Sequence, residues 1–174
     1  MEGSSWRYSQ RRTAYLPFKC GWPEWCRGYR VCVGGEWLSG VEAVVERGYL
    51  SIERHWSAGD TILLELDMPV EIFRARQEVQ ANEGRIALQR GPIVYCIEQS
   101  DHDKLKYDEM TFSARERLLV EHREDLLEGV TTLRGKDGLG RPCQFVPYYA
   151  WDNRQPGYMQ VWVREKQEEQ LYNY

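Results

Sequence analysis

The feature that most constrains this chain is the rhythm of its apolar residues. Short runs alternate at every second position, and a turn dipeptide closes each run. A period of two sends successive side chains to opposite faces of an extended strand. From Tyr29 to Val33, Tyr29, Val31 and Val33 fall on one side, with Arg30 and Cys32 on the other. Gly34-Gly35 follows, and glycines accept the positive φ of a tight hairpin turn. Further strands are expected at Val41 to Glu46 and at Tyr49 to Trp56, where Leu50, Ile52 and Arg54 share a face. Gly59-Asp60 marks the next turn. Thr61 to Asp67 then aligns Ile62, Leu64 and Leu66, and Val70 to Ala75 reads as a strand after Pro69.

The polar stretch Val79 to Gly84 is expected to join two small β units. Strands follow at Arg85 to Gln89 and Pro92 to Glu98, separated by Arg90-Gly91. Ile93 to Ile97 is continuously apolar, the pattern of a strand buried on both faces. Ser113 to Glu128 supports two readings. Leu118, Leu119, Leu126 and Leu127 have near-helical spacing among good helix formers. Yet Leu118, Val120 and His122 also alternate with Leu119 and Glu121. Gly135 to Pro142 is a loop by composition. Cys143 to Tyr149 reads as a strand, Trp151 to Gly157 as a polar loop. Tyr158 to Arg164 alternates again, with Met159, Val161 and Val163 on one side. The end of the chain from Glu165 is charged. Many short strands at regular spacing, without an internal repeat, predict an all-β sandwich or barrel class.

The 174 residues suffice for one domain or two small ones. Apolar residues at 42% and charged residues at 29% allow both a packed core and a solvated surface. The net charge is −4, and Lys and Arg are scattered among Asp and Glu. That leaves no basic stripe, so no nucleic-acid partner is expected. No apolar run approaches the ~18 residues of a membrane span, so no membrane partner is expected. MEGSSWRYSQRR has no apolar stretch behind it and does not read as a secretory leader. Cys20, Cys26, Cys32, Cys96 and Cys143 make an odd, irregularly spaced set. Such cysteines read as reduced, buried side chains, which points to a cytoplasmic chain.

Hydrolysis of a glycosidic bond with two carboxylates needs an acid and a nucleophile or base facing one cleft. Glu36, Glu53, Asp60, Glu65, Glu98, Asp101 and Asp152 are available, but most sit at turns or on polar strand faces. No pair is singled out. His55, His102 and His122 stand beside no nucleophile in a recognisable signature. Asp101-His102-Asp103 is a candidate cation loop, weighed against a solvated turn. GKDGLG lacks the lysine and hydroxyl residue of a phosphate-binding loop. The 7 Trp and 11 Tyr suit either sugar stacking or sandwich cores. Tyr148, Tyr149, Trp151, Asn153 and Arg154 gather aromatic and hydrogen-bonding groups at a strand-to-loop exit. They are the candidate ligand or domain contacts.

Four stretches, in order, resemble one family. Trp22-Pro23-Glu24-Trp25-Cys26, followed by Val31-Cys32-Val33-Gly34-Gly35-Glu36, is similar to the IPxWC and VxVNGE segments of glycoside hydrolase family 127. Gly48 to Trp56 with Gly59-Asp60 resembles its GYxxIxRxWxxGD segment. Asn82 to Glu98 is the most specific of the matches, and Val146 to Arg154 is the fourth. Gly34-Gly35 stands where the family has Asn-Gly, which suits the same hairpin. The resemblance favours a strand at Arg117 to His122, a short turn or single helical turn at Glu124 to Leu127, and a strand at Gly129 to Arg134.

The resemblance implies two antiparallel β-sandwich units behind an (α/α)6 barrel, and cleavage of non-reducing-end β-L-arabinofuranosides. The family's zinc-bound cysteine nucleophile and glutamate acid/base belong to that barrel. No catalytic, cofactor-binding or metal-binding residue is therefore expected in this chain, which is predicted inactive alone. Zinc is implied only for the absent catalytic domain. The expected organisation is an unmatched lead-in over 1–15, and a middle sandwich over 16–78 that begins partway and leaves an exposed strand edge. A C-terminal sandwich over 79–165 and a charged tail over 166–174 complete it. The expected partner is the helical barrel, with a carbohydrate and a homodimer as further partners. Three roles follow: an accessory portion of such a hydrolase, a carbohydrate-binding module using Tyr148 to Arg154, or a truncated fragment without independent function.

Overall fold

Fifteen strands and a few single 3-10 turns make up the computed structural model, which describes residues 14–40, 42–102 and 109–167. The chain divides into two units between Pro69 and Val70. Residues 1–13, most of the expected lead-in, and most of the expected tail lie outside the described residues, as does Asp103.

In the first unit, β1 (Ala14–Gly21), β5 (Tyr49–Trp56) and β4 (Ala43–Glu46) form one antiparallel sheet in the order β1-β5-β4. A second sheet is ordered β3-β2-β6, from β3 (Glu36–Trp37), β2 (Tyr29–Val33) and β6 (Ile62–Leu66). Gly34 and Gly35 take φ of 58° and 90°, which is the left-handed turn the dipeptide was read to supply. The alternating residues meet as read. Val31, Val33, Leu50, Ile52, Ile62 and Leu64 form the core with Trp56. Strand β1 was not expected from the alternation.

The second unit carries one nine-stranded sheet with two cores. It comprises β7 (Val70–Arg74), β8 (Arg85–Arg90), β9 (Ile93–Glu98), β10 (Thr111–Phe112), β11 (Leu119–Arg123), β12 (Val130–Lys136), β13 (Pro142–Pro147), β14 (Met159–Gln160) and β15 (Val163–Glu165). Strand β7 lies in this unit rather than the first. It pairs with β8 from Val70↔Arg90 to Arg74↔Ile86, and Val70 and Ile72 pack on the second core. The polar stretch 79–84 is accordingly a connection inside one unit, not the boundary expected from its composition.

The register explains how one sheet gives two layers. β8 and β9 pair only from Leu88↔Tyr95 to Arg90↔Ile93, and then diverge. The segment expected as a single strand over 158–164 fills the divergence. Its first half, β14, pairs with the end of β9, and its second half, β15, pairs with the start of β8. The strand must therefore break at Val161-Trp162. β10 joins β15 in parallel, so this sheet is mixed where antiparallel pairing was expected throughout. In the ambiguous 113–128 region Leu119–Arg123 is strand and 124–128 is turn and bend, with no α-helix. β11 pairs with β12 from Leu119↔Arg134 to Arg123↔Val130.

The apolar run of β9 is buried on both faces. Tyr95, Cys96 and Ile97 are all 0% exposed. Tyr95 and Ile97 join Phe112, Leu133 and Phe145 in one core, while Cys96 joins Val130, Val146 and Ala150 in another. Full burial of each such aliphatic or aromatic side chain contributes about 1.5–3 kcal/mol.

Carboxylates of this unit make its stability pH-dependent. Arg123 grips Asp125 through Nε at 2.8 Å and Nη2 at 2.6 Å, and holds its carboxyl down to about 2. Arg74 lowers Glu165 in the same way. At Asp137 burial works upward, but Arg141 and two backbone N–H groups outweigh it and the net shift is downward. A folded pKa below the unfolded value of about 4 gives stability that is present above that pH and lost as pH falls towards about 2. Urea midpoints should therefore fall across that window, and Asp137→Asn should flatten the fall. A pH-independent midpoint would contradict this account.

Candidate functional site

The exit from β13 positions the candidate residues. Pro147 ends the strand, and Tyr148–Ala150 make a single 3-10 turn where further strand was expected. Ala150 is 3% exposed and anchors the turn in the core beside Cys96 and Val146. Trp151 N–H closes the turn on Tyr148 O at 3.2 Å. Asp152 then reverses the chain at φ 63°, a left-handed conformation that Asp tolerates better than most residues.

After that reversal Arg154 points inward, onto the end of β9. Its Nη1 and Nη2 donate to Asp101 Oδ1 at 2.7 Å and Oδ2 at 2.6 Å, and Nη2 also pairs with Glu98 Oε2. Glu98 is 3% exposed, so this pairing is buried. Its carboxylate also accepts Asp152 N–H at 2.9 Å and Ser100 Oγ–H at 3.2 Å. The Asp101 carboxylate, with Glu98 behind it, holds the Arg154 guanidinium above its ordinary value against the opposing pull of burial. Bidentate guanidinium–carboxylate geometry of this kind is strong and directional.

Buried His102 ties the same cluster to β13. Gln144 N–H donates to His102 Nε2 at 3.2 Å, so that nitrogen is the acceptor. The other, Nδ1, lies 2.8 Å from Glu98 O and must be the donor. Together the contacts select the neutral Nδ1–H tautomer. Gln144 Nε2 reaches Asp101 Oδ1 at 3.1 Å. Gln99 closes the far end of the loop: its N–H donates to Tyr158 O at 2.8 Å, and its Oε1 accepts Tyr158 N–H at 3.0 Å. A Cβ at Gly157 would stand 3.1 Å from Gln99 Cβ, so the close approach favours glycine there.

The five candidates separate under this geometry. Arg154 is spent on Glu98 and Asp101. Asn153 Nδ2 donates to Trp151 O at 3.1 Å, inside the loop. Trp151 is half-buried against the core and stacks on Tyr148 with ring centroids 6.3 Å apart. Tyr148 and Tyr149 are exposed at 50% and 65%, and Tyr158, not singled out from sequence, at 76%. A rigid loop thus presents three tyrosines to solvent. Glu98, Gln99, Ser100, His102 and Gln144 are its hidden supports. The sequence signals for them are Glu98, a charge ending an otherwise apolar strand, and His102 in the polar Asp101-His102-Asp103 stretch.

The remaining chemical groups are engaged in structure. Burial pushes the Cys96 and Cys143 thiols up to about 12, and raises Cys26 as well. Such thiols are poor nucleophiles and poor metal ligands. No group of three or more His, Cys, Asp or Glu suited to hold a metal occurs among the described residues. Asp101 of the candidate cation loop is taken by Arg154. His55 stacks edge-on with Tyr15 at 5.0 Å, and His122 Nδ1 lies 3.4 Å from Thr131 Oγ1.

Comparison with known proteins places this arrangement. The family model for the glycoside hydrolase family 127 C-terminal domain matches residues 70–164, and that for the β-L-arabinofuranosidase GH127 middle domain matches residues 4–68. The chain belongs to glycoside hydrolase family 127. The two matches meet at the division between Pro69 and Val70. The middle-domain match begins at residue 4, so it takes in most of the lead-in expected to be unmatched.

A non-reducing end β-L-arabinofuranosidase of Bifidobacterium longum is 34% identical, over 82% of this chain and 25% of its own length. A GH127 β-L-arabinofuranosidase structure from Geobacillus stearothermophilus T6 is 36% identical with a TM-score of 0.77, covering 92% of this chain and 28% of that one. The structure of another GH127 β-arabinofuranosidase is 29% identical with a TM-score of 0.69, over 85% and 25% of the two chains. The chain thus spans about a quarter of the length of the relatives it matches.

Proposed function

We propose that this chain is the accessory, non-catalytic β-sandwich portion of a family 127 hydrolase acting on β-L-arabinofuranosides. Its partner in that reading is an (α/α)6 barrel bearing the catalytic groups. One observation carries it: the two family models matched are a middle and a C-terminal domain, and relatives named as arabinofuranosidases are several times longer. The chemistry of the described residues agrees. Glu98 and Asp101 form the most enclosed carboxylate pair described, and both are bound to Arg154. A general acid needs a titratable proton facing substrate. The buried thiols do not fit a zinc-bound nucleophile, and no step is assigned to zinc in this chain.

The loop bearing Tyr148, Tyr149 and Tyr158 favours a second reading, in which it contributes a carbohydrate contact. Rigid exposed rings lose little entropy on binding. An assay of the full chain on an aryl β-L-arabinofuranoside should give no turnover above the uncatalysed rate. Turnover would place catalysis in this chain and overturn the accessory reading. Titration with arabino-oligosaccharides separates the second reading, which requires Trp151→Ala to weaken binding.

A further inference from the structure

One end of the second unit's sheet carries a row of cations that neither reading uses. β15 pairs with β8 on one side and with β10 on the other. The register sets Arg164 opposite Arg85 in the first pairing and opposite Thr111 in the second. Residues opposed in this way put their side chains on the same face, on strands about 4.8 Å apart. The alternate residues Ile86, Val163 and Phe112 point the other way, into the core. Thr111, Arg164 and Arg85 therefore form a line across three strands, on the face away from that core.

Like charges opposed across a ladder repel. A carboxylate between them would relieve the repulsion, yet among the described residues neither Arg85 nor Arg164 makes an ion pair. Glu165 follows Arg164 in the chain but projects to the core side, where it accepts Arg74 Nε–H at 2.8 Å. Arg85 Nη1 donates to Trp162 O at 3.0 Å, which steers its guanidinium over β15. Just past β15, Lys166 Nζ donates to Gly138 O at 2.9 Å. Gly138 N–H in turn donates to Thr111 O at 2.7 Å. A Cβ at Gly138 would stand 2.0 Å from Thr111 Oγ1 and 3.2 Å from Lys166 Cδ, so the lysine and the threonine hydroxyl meet there.

Two guanidinium groups, an ammonium group and a hydroxyl are thus gathered at one end of a rigid sheet. They supply N–H and O–H donors, and no carboxylate stands among them to repel an anion. Guanidinium groups match the planar edge of a carboxylate or phosphate with paired hydrogen bonds. We propose that this row binds an oxyanion, the carboxylate or phosphate group of a small ligand. Arg85 and Arg164 grip it from facing strands, and the Thr111 hydroxyl and Lys166 close the row on the β10 side. The bound anion removes the repulsion between the two arginines. This site is separate from the tyrosine loop and does not depend on the accessory reading.

Amide and arginine side-chain N–H resonances of the full chain test the proposal, followed as sodium glucuronate or sodium phosphate replaces sodium chloride at constant ionic strength. The Thr111 and Arg164 amides and Arg85 Nε–H should shift progressively, with a Kd on the order of 1 mM for at least one of the two anions. A response to glucuronate alone assigns a carboxylate ligand, and a response to phosphate alone a phosphorylated one. Arg164→Gln should weaken binding about tenfold. Arg134→Gln removes an equal charge from β12 and should leave binding unchanged. Arg164→Glu sets a carboxylate opposite Arg85, and should abolish the shifts while raising the urea midpoint in chloride. Resonances that stay still to about 20 mM of both anions would overturn the site. So would equal weakening by Arg164→Gln and Arg134→Gln, which would reduce the effect to net charge.

Discussion

Arg154→Met should cost the second unit about 3–5 kcal/mol, the loss typical when one partner of a buried ion pair is removed. The reason is what stays behind more than what is lost. Glu98 and Asp101 have side-chain exposures of only 4% and 12%, and Arg154 is the cation that both meet. Methionine fills much of the same volume, so the effect reports charge and hydrogen bonds rather than a cavity. Chemical denaturation should show the loss as a lower midpoint. Glu98→Gln alone should also destabilise, since the amide cannot accept all three donors that now converge on the carboxylate. The double variant should lose less than the two single losses added together, because one of the two carboxylates left without Arg154 has then lost its charge. Additive losses would mean that the three groups do not act as a unit. Hydrogen exchange should meanwhile quicken at Asp152 N–H and Gln144 N–H, which the cluster holds.

The strands were legible where one face is buried and the pairing is local. β2 and β5 lie at the residues where alternation placed them, because Val31, Val33, Leu50 and Ile52 face a single core. β1 was not legible, since its sequence AYLPFKCG groups apolar residues without clean alternation and carries Pro17 in the middle. An edge strand tolerates a proline that a central strand would exclude, and β1 sits at the end of its sheet order. β10 is two residues long and pairs in parallel with a strand far along the chain, so nothing local announces it. The break in 158–164 has the same origin. Alternation reports which face is buried, but not that one half of a strand pairs with β9 and the other with β8.

The candidate loop was legible as a place and not as a mechanism. Composition located Tyr148 to Arg154, because aromatic and polar residues crowd a strand exit. It did not distinguish exposed Tyr149 from inward-facing Arg154. The partners of Arg154 lie 53 and 56 residues earlier in the chain, and no spacing rule links them. Glu98 at the end of IVYCIE was the available hint, since a carboxylate closing a strand buried on both faces must find a cation.

Trp56→Ala should unfold the first unit while leaving the second folded. Trp56 is 2% exposed and is the largest side chain in its core. It meets Phe18 edge-on at 6.2 Å, and its Nε1–H donates to Leu16 O at 2.8 Å, binding β5 to β1 beyond the ladder. Removing a buried tryptophan costs about 3–5 kcal/mol in transfer and cavity terms. A core of this size rarely supplies more than about 3–5 kcal/mol of net stability, so the substitution consumes the whole margin. Trp56→Phe should keep most of the packing and cost less, losing the indole hydrogen bond and part of the volume. Hydrogen exchange read by fragment should show residues 14–69 of Trp56→Ala exchanging without protection. The β8, β9 and β13 amides should remain slow, because their cores are built from second-unit residues alone. Protection retained in both units would show that Trp56 is not central to the first core. Protection lost equally in both would show that the two units fold as one.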